Sequence, residues 1–120
     1  MAVTGIGGIL FTANDPVGLN AWYAKHLGVN DLNVNQEPWI QQRGPTVFAI
    51  FPPGTELFGD SQSFILNFRV EGLADFVHHL KADGVKVLKD VENEEGVGRF
   101  ASIEDPEGNR VELWEPADED

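Results

Sequence analysis

The stretch that decides the fold is Gly98-Arg99-Phe100-Ala101-Ser102-Ile103-Glu104, then Asp105-Pro106-Glu107-Gly108-Asn109, then Arg110-Val111-Glu112-Leu113-Trp114-Glu115-Pro116. Pro106 suits the corner of a tight turn and Gly108 supplies a positive φ, so the flanking runs 98–104 and 109–115 read as a strand hairpin. Strand alternation puts Val111 and Leu113 on one face of the second strand and Arg110, Glu112 and Trp114 on the other.

Working back from this hairpin, Val85–Val91 reads as one more strand. Before it, Leu73, Phe76, Val77 and Leu80 form a helical stripe that stops at Gly84, and Phe64–Val70 is another strand. The order is strand, helix, three strands. The first half follows the same order. Gly5–Ala13 reads as a buried strand loosened by glycines. Asn14 or Asp15 caps a helix with Pro16 in its first turn, and the stripe Leu19, Trp22, Tyr23, His26, Leu27 ends at Gly28. From Val29 to Phe51, short apolar runs broken by Asn33, Asn35 and the Arg43-Gly44-Pro45 corner suggest a three-stranded meander. Phe11 superposes on Phe68, Gly28-Val29 on Gly84-Val85, and the run 46–52 on the run 110–116. An internal repeat of this kind carries more weight than any single strand assignment.

The expected architecture is therefore α+β: one domain of two tandem βαβββ modules, about 5–52 and 63–116, joined by a linker over 53–62 rich in Gly, Pro, Ser and Asp. A ferredoxin-like sandwich is the rival, but its halves would not each end in a strand hairpin.

A chain of 120 residues, 42% of them apolar and with eight Phe and three Trp, is long and apolar enough for one real core. Eight Lys and Arg against twenty Asp and Glu leave a net charge of −12. That charge repels a phosphate backbone and an anionic bilayer, so neither nucleic acid nor membrane is an expected partner. It also suits steering of a cationic ligand, although dispersed acids equally serve solubility. Asp118-Glu119-Asp120 reads as a solvated tail. With no cysteine there is no disulfide framework, thiolate metal site or cysteine nucleophile. No run approaches the ~20 apolar residues of a membrane span, and a soluble cytoplasmic protein is the default expectation.

Several residues carry possible chemistry. Glu112 on the polar face of its strand reads as a cleft-facing carboxylate: a metal ligand, a general base, or a structural partner of Arg69 or Asn67. Asn67 and Arg69 share a face with Ile65, and a guanidinium fork beside an amide suits a carboxylate or carbonyl ligand, or an ion pair with a nearby acid. Trp39, Phe48, Phe51, Phe58 and Trp114 supply aromatic surface on or next to these strands, for stacking on a flat ligand or for core packing. His78 and His79 are adjacent on a helix, so their side chains diverge by about 100° and do not easily share an ion. His26 lies in a last helical turn, where positive charge is favoured. Gly5-Ile6-Gly7-Gly8 lacks the following Lys-Ser/Thr of a phosphate loop and the spacing of a dinucleotide fingerprint.

The doubled unit, with Trp22-Tyr23 and His26-Leu27-Gly28 on its first helix and 105–109 before 111–116, resembles the vicinal oxygen chelate superfamily of glyoxalases, bleomycin-resistance proteins and extradiol dioxygenases. The resemblance runs from Gly5 to Pro116 and implies a partly closed mixed β-barrel around a cleft, with helices outside and a homodimeric assembly. It also implies metal-ligand positions at Gly8, Phe48, Ile65 and Glu112, of which only Glu112 carries a donor. The function this implies is metal-free binding of a small molecule, or an uncharacterised activity, with Asn67, Arg69, Phe48, Trp39 and Trp114 at the ligand and Glu112 as the acid-base group. No cofactor is expected. The alternative is a divalent-metal-dependent lyase or isomerase of the glyoxalase type, with Glu112 as the surviving ligand.

Overall fold

The computed structural model describes residues 2–29 and 39–118. Helix α1 spans Pro16–Leu27; Asp15 caps it by accepting from the Gly18 amide, and Gly28, at φ 71°, closes it in the left-handed conformation. A short 3-10 turn covers Glu56–Phe58. Strand β1 (Leu66–Arg69), helix α2 (Leu73–Ala82) and strands β2 (Lys86–Glu94), β3 (Gly98–Glu104) and β4 (Arg110–Pro116) follow.

The four strands make one open mixed sheet in the order β1-β4-β3-β2. β1 runs parallel to β4, with Asn67 opposite Glu112, while β3 pairs antiparallel with both β4 and β2. Beyond the start of β1 the Gln62 amide imitates a further strand residue: it donates to the Arg110 carbonyl and accepts from the Arg110 amide. The connection from β1 through α2 to β2 places α2 on one face of the sheet, and that face is apolar. Leu73, Val77 and Leu80 of α2 bury against Ile103, Val111 and Leu113, and α1 adds Leu19 and Tyr23.

The turn at 105–109 is tied to α1. Asp105 is buried and accepts from the Tyr23 hydroxyl at 2.7 Å, from the Glu107 and Asn109 amides and from Asn109 Nδ2. Glu107 reaches back to accept from the Asn14 and Asp15 amides. Burial, and then the hydrogen bond and charge of Asp105, push the Tyr23 phenol well above its ordinary range.

The second half thus has the expected elements almost residue for residue. The first half differs. Residues 5–13 and 39–51, expected as strands, join no sheet among the described residues, and the part of the expected meander over 30–38 lies outside the described residues. Strand propensity alone does not make a strand; backbone groups need a neighbouring edge, and among the described residues these two segments pair with none.

Candidate functional site

Because Val111 and Leu113 face α2, the alternation of β4 puts Arg110, Glu112 and Trp114 on the opposite, helix-free face. Register carries that face across the sheet: Asn67 and Arg69 of β1 lie beside Glu112 and Trp114, and Ser102 and Phe100 of β3 lie opposite the same two residues. The result is a polar and aromatic patch at the centre of the sheet.

Glu112 is engaged within it. Its Oε2 accepts from the Ser102 hydroxyl and from Arg110 Nε at 3.1 Å, while Arg110 Nη2 donates to Ser102 Oγ at 2.9 Å. Ser102 is 1% exposed and the Glu112 side chain 15%, so the three form a closed, mostly desolvated network. Sequence reasoning placed Arg110 on this face without assigning it a role and passed over Ser102. The available signal was that Arg110 sits two positions from Glu112 on the same face of one strand.

Arg69 does not pair with Glu112, contrary to one expectation. It reaches to the 42–46 corner, donating from Nη1 to the Pro45 carbonyl at 2.6 Å and to Thr46 Oγ1, and from Nη2 to the Gln42 carbonyl at 2.7 Å. The approach is close: a Cβ on Gly44 would lie 2.7 Å from Arg69 Nε. The guanidinium fork therefore anchors that corner to β1 before it can serve a ligand.

The aromatic candidates divide. Trp114 is held by its indole N–H, which donates to the Val97 carbonyl at 3.0 Å, and Phe100 lies nearly parallel to it, the ring centroids 6.3 Å apart. Trp39 packs edge-on against Phe68, which also neighbours Tyr23 on the helical side. Phe48 is 82% exposed. The register of the sheet thus brings Asn67, Arg69, Glu112 and Trp114 together on one face, while Trp39 is seated on Phe68 and Phe48 is exposed.

The donor set at the positions implied for a metal does not fit a divalent cation. Gly8, Phe48 and Ile65 offer no side-chain donor, and the Glu112 oxygen is occupied by a guanidinium and a hydroxyl. Among the described residues no group of three or more His, Cys, Asp or Glu is arranged to hold a metal ion. His78 and His79 are exposed, their ring centroids 6.0 Å apart. No helix among the described residues is long and apolar enough to cross a membrane.

The fold is that of the glyoxalase/bleomycin resistance/dioxygenase proteins. An antibiotic-binding protein, TnmS3 from Streptomyces sp. CB03234, is similar over 98% of this chain and 99% of its own, with a TM-score of 0.64 and 21% identity. TioX from Micromonospora sp. ML1 is similar over 88% of this chain and 93% of its own (TM-score 0.55, 14% identity). A superfamily member from Sphaerobacter thermophilus DSM 20745 is similar over 86% of this chain and 90% of its own (TM-score 0.52, 16% identity). No family model and no curated protein matches the sequence. At these identities the likeness establishes the fold, and function rests on the site.

Proposed function

We propose that the protein binds a small organic molecule, without a metal ion, on the sheet face that carries Asn67, Arg69, Glu112 and Trp114. In this reading residues 5–52 and 63–116 act as tandem βαβββ modules, and the face becomes one wall of a partly closed barrel. The observation that carries the proposal is the fate of Glu112. It is the one carboxylate at the four positions that the family resemblance marks for a metal, and its charge is already matched by Arg110 and its oxygen by Ser102. Replacing that pairing with an ion would leave the Arg110 guanidinium unpaired in a half-buried place, which is costly.

What remains available to a ligand is an exposed Asn67 amide and the half-buried Phe100 ring, which lies parallel to a Trp114 that is itself only 8% exposed. A carboxamide gives both donors and an acceptor, and the exposed part of the Phe100 ring gives flat apolar area, a combination suited to a polycyclic or glycosylated aromatic compound. The description of TnmS3 as antibiotic-binding supports a ligand of that class. The net charge of −12 favours a cationic one.

The test is a pair of titrations on one preparation. Calorimetry with Zn²⁺, Ni²⁺, Mn²⁺ and Fe²⁺ should show no stoichiometric binding, and a panel of basic glycopeptide and polycyclic aromatic antibiotics should yield a binder. Stoichiometric metal that is lost in Glu112→Ala would overturn the proposal in favour of a metal-dependent lyase or isomerase.

A further inference from the structure

We propose that Arg69 is a latch on the ligand face: its guanidinium holds the 42–46 corner against β1 until a carboxylate of the bound molecule takes the guanidinium and releases the corner. This rests on the small-molecule reading above and adds a chemical class to it, a flat compound that carries a carboxylate.

The corner is held by one side chain. Residues 40–50 are exposed, and among the described residues every hydrogen bond that reaches them comes from Arg69. Nη1 donates to the Pro45 carbonyl at 2.6 Å and Nη2 to the Gln42 carbonyl at 2.7 Å, so each outer nitrogen of the fork faces one oxygen, as it would across from a carboxylate.

Gly44 shows that the sequence makes room for this contact. A Cβ there would lie 2.7 Å from Arg69 Nε and 3.1 Å from Cζ, yet Gly44 has no positive φ. Its lack of a side chain therefore serves the close approach of the guanidinium and not the shape of the turn.

The hold is the weaker of two that a guanidinium can make. Lys86, Lys89, Arg99 and Arg110 of the sheet each meet a carboxylate, whereas among the described residues Arg69 meets none, in a chain with twenty Asp and Glu. The oxygens it does meet are neutral, and an ionised acceptor makes a bond roughly twice as strong. Arg69 is half-buried, two positions from exposed Asn67 on β1 and opposite Trp114 in the register, so it borders the face on which the molecule is proposed to lie. The net charge of −12 acts at long range and draws in compounds that are basic overall. Arg69 then decides which group of such a compound is held, and the expected ligand is an amphoteric aromatic.

Limited digestion with trypsin reads the corner through cleavage after Arg43, each rate being scaled to that of a peptide of the same local sequence. With nothing added, Arg69→Met should speed this cleavage at least about tenfold. Gly44→Ala should do the same by displacing the guanidinium while leaving β1 unaltered, which covers the case in which Arg69→Met does not fold. The ligand half uses two matched probes, 9-aminoacridine-2-carboxylate and 9-aminoacridine-2-carboxamide. The carboxylate should bind wild type at least about tenfold tighter than the carboxamide and should speed cleavage after Arg43, and Arg69→Met should erase both differences. An unchanged rate in both variants would overturn the latch whether or not any compound binds. Equal affinity for the two acridines, or a bound carboxylate with Arg43 cut no faster, would overturn the exchange at Arg69. Binding of neither acridine would overturn the carboxylate class, and the antibiotic panel above then decides the small-molecule reading separately.

Discussion

Arg110 Nε lies 3.1 Å from Glu112 Oε2, two positions along β4 and on one face of it, and both groups also meet the Ser102 hydroxyl on β3. A pair spaced this way on a strand needs no long-range event to form. What the fold adds is Ser102, brought opposite Glu112 by the β3–β4 register, and the burial that strengthens the network.

Removing the cation should therefore matter more than removing the anion's charge. Arg110→Met leaves a half-buried carboxylate with one donor and should cost about 1.5–3 kcal/mol, whereas Glu112→Gln keeps an acceptor and should cost less than about 1.5 kcal/mol. Urea denaturation of the two variants checks the order.

The Tyr23–Asp105 bond makes a pH prediction. The folded-state pKa of Tyr23 is raised, so its stabilisation is complete below the unfolded value near 10 and is lost as pH climbs above it, when the unfolded chain releases a proton that the folded chain keeps. Wild type should lose up to about 1.4 kcal/mol per pH unit from this group above pH 10, and Tyr23→Phe should lose that part of the slope. Denaturation midpoints at pH 8, 10 and 11 read it directly.

Gly98 opens β3 at φ 128°, and a Cβ there would stand 2.2 Å from the Glu115 carbonyl oxygen. Gly98→Ala combines a disfavoured backbone with a clash against β4 and should destabilise by about 3 kcal/mol or more. Thermal unfolding of the variant tests this, and a loss under 1 kcal/mol would mean that β4 can retreat.

Phe100 is half-buried and parallel to Trp114, whereas Trp22 packs on α1 against Tyr23. For any compound found to bind, Phe100→Leu should weaken affinity about tenfold and Trp22→Leu should leave it within about threefold. Calorimetry with both variants separates aromatic surface at the site from aromatic surface in the core.

Much of this protein is legible in its sequence. The cap, read as Asn14 or Asp15 and found at Asp15, the stop at Gly28, the α2 stripe and the 105–109 turn are local chemistry: a side chain that accepts from its own helix, a glycine that reaches positive φ, apolar residues at helical spacing. Strand alternation alone put Glu112, Arg110 and Trp114 on one face and Asn67 and Arg69 on another that meets it. Which of these touch was settled only by register and by chain path. Parallel pairing of β1 with β4 set Asn67 beside Glu112, but the Arg69 side chain turned toward the carbonyls of the 42–46 corner. Trp39, which reads in sequence as cleft or core aromatic surface, lies edge-on against Phe68. The strand-like segments 5–13 and 39–51 show the limit most clearly, because apolar alternation specifies which residues want burial but not which edge will take them. That choice depends on backbone partners distant in sequence, which only the tertiary arrangement supplies.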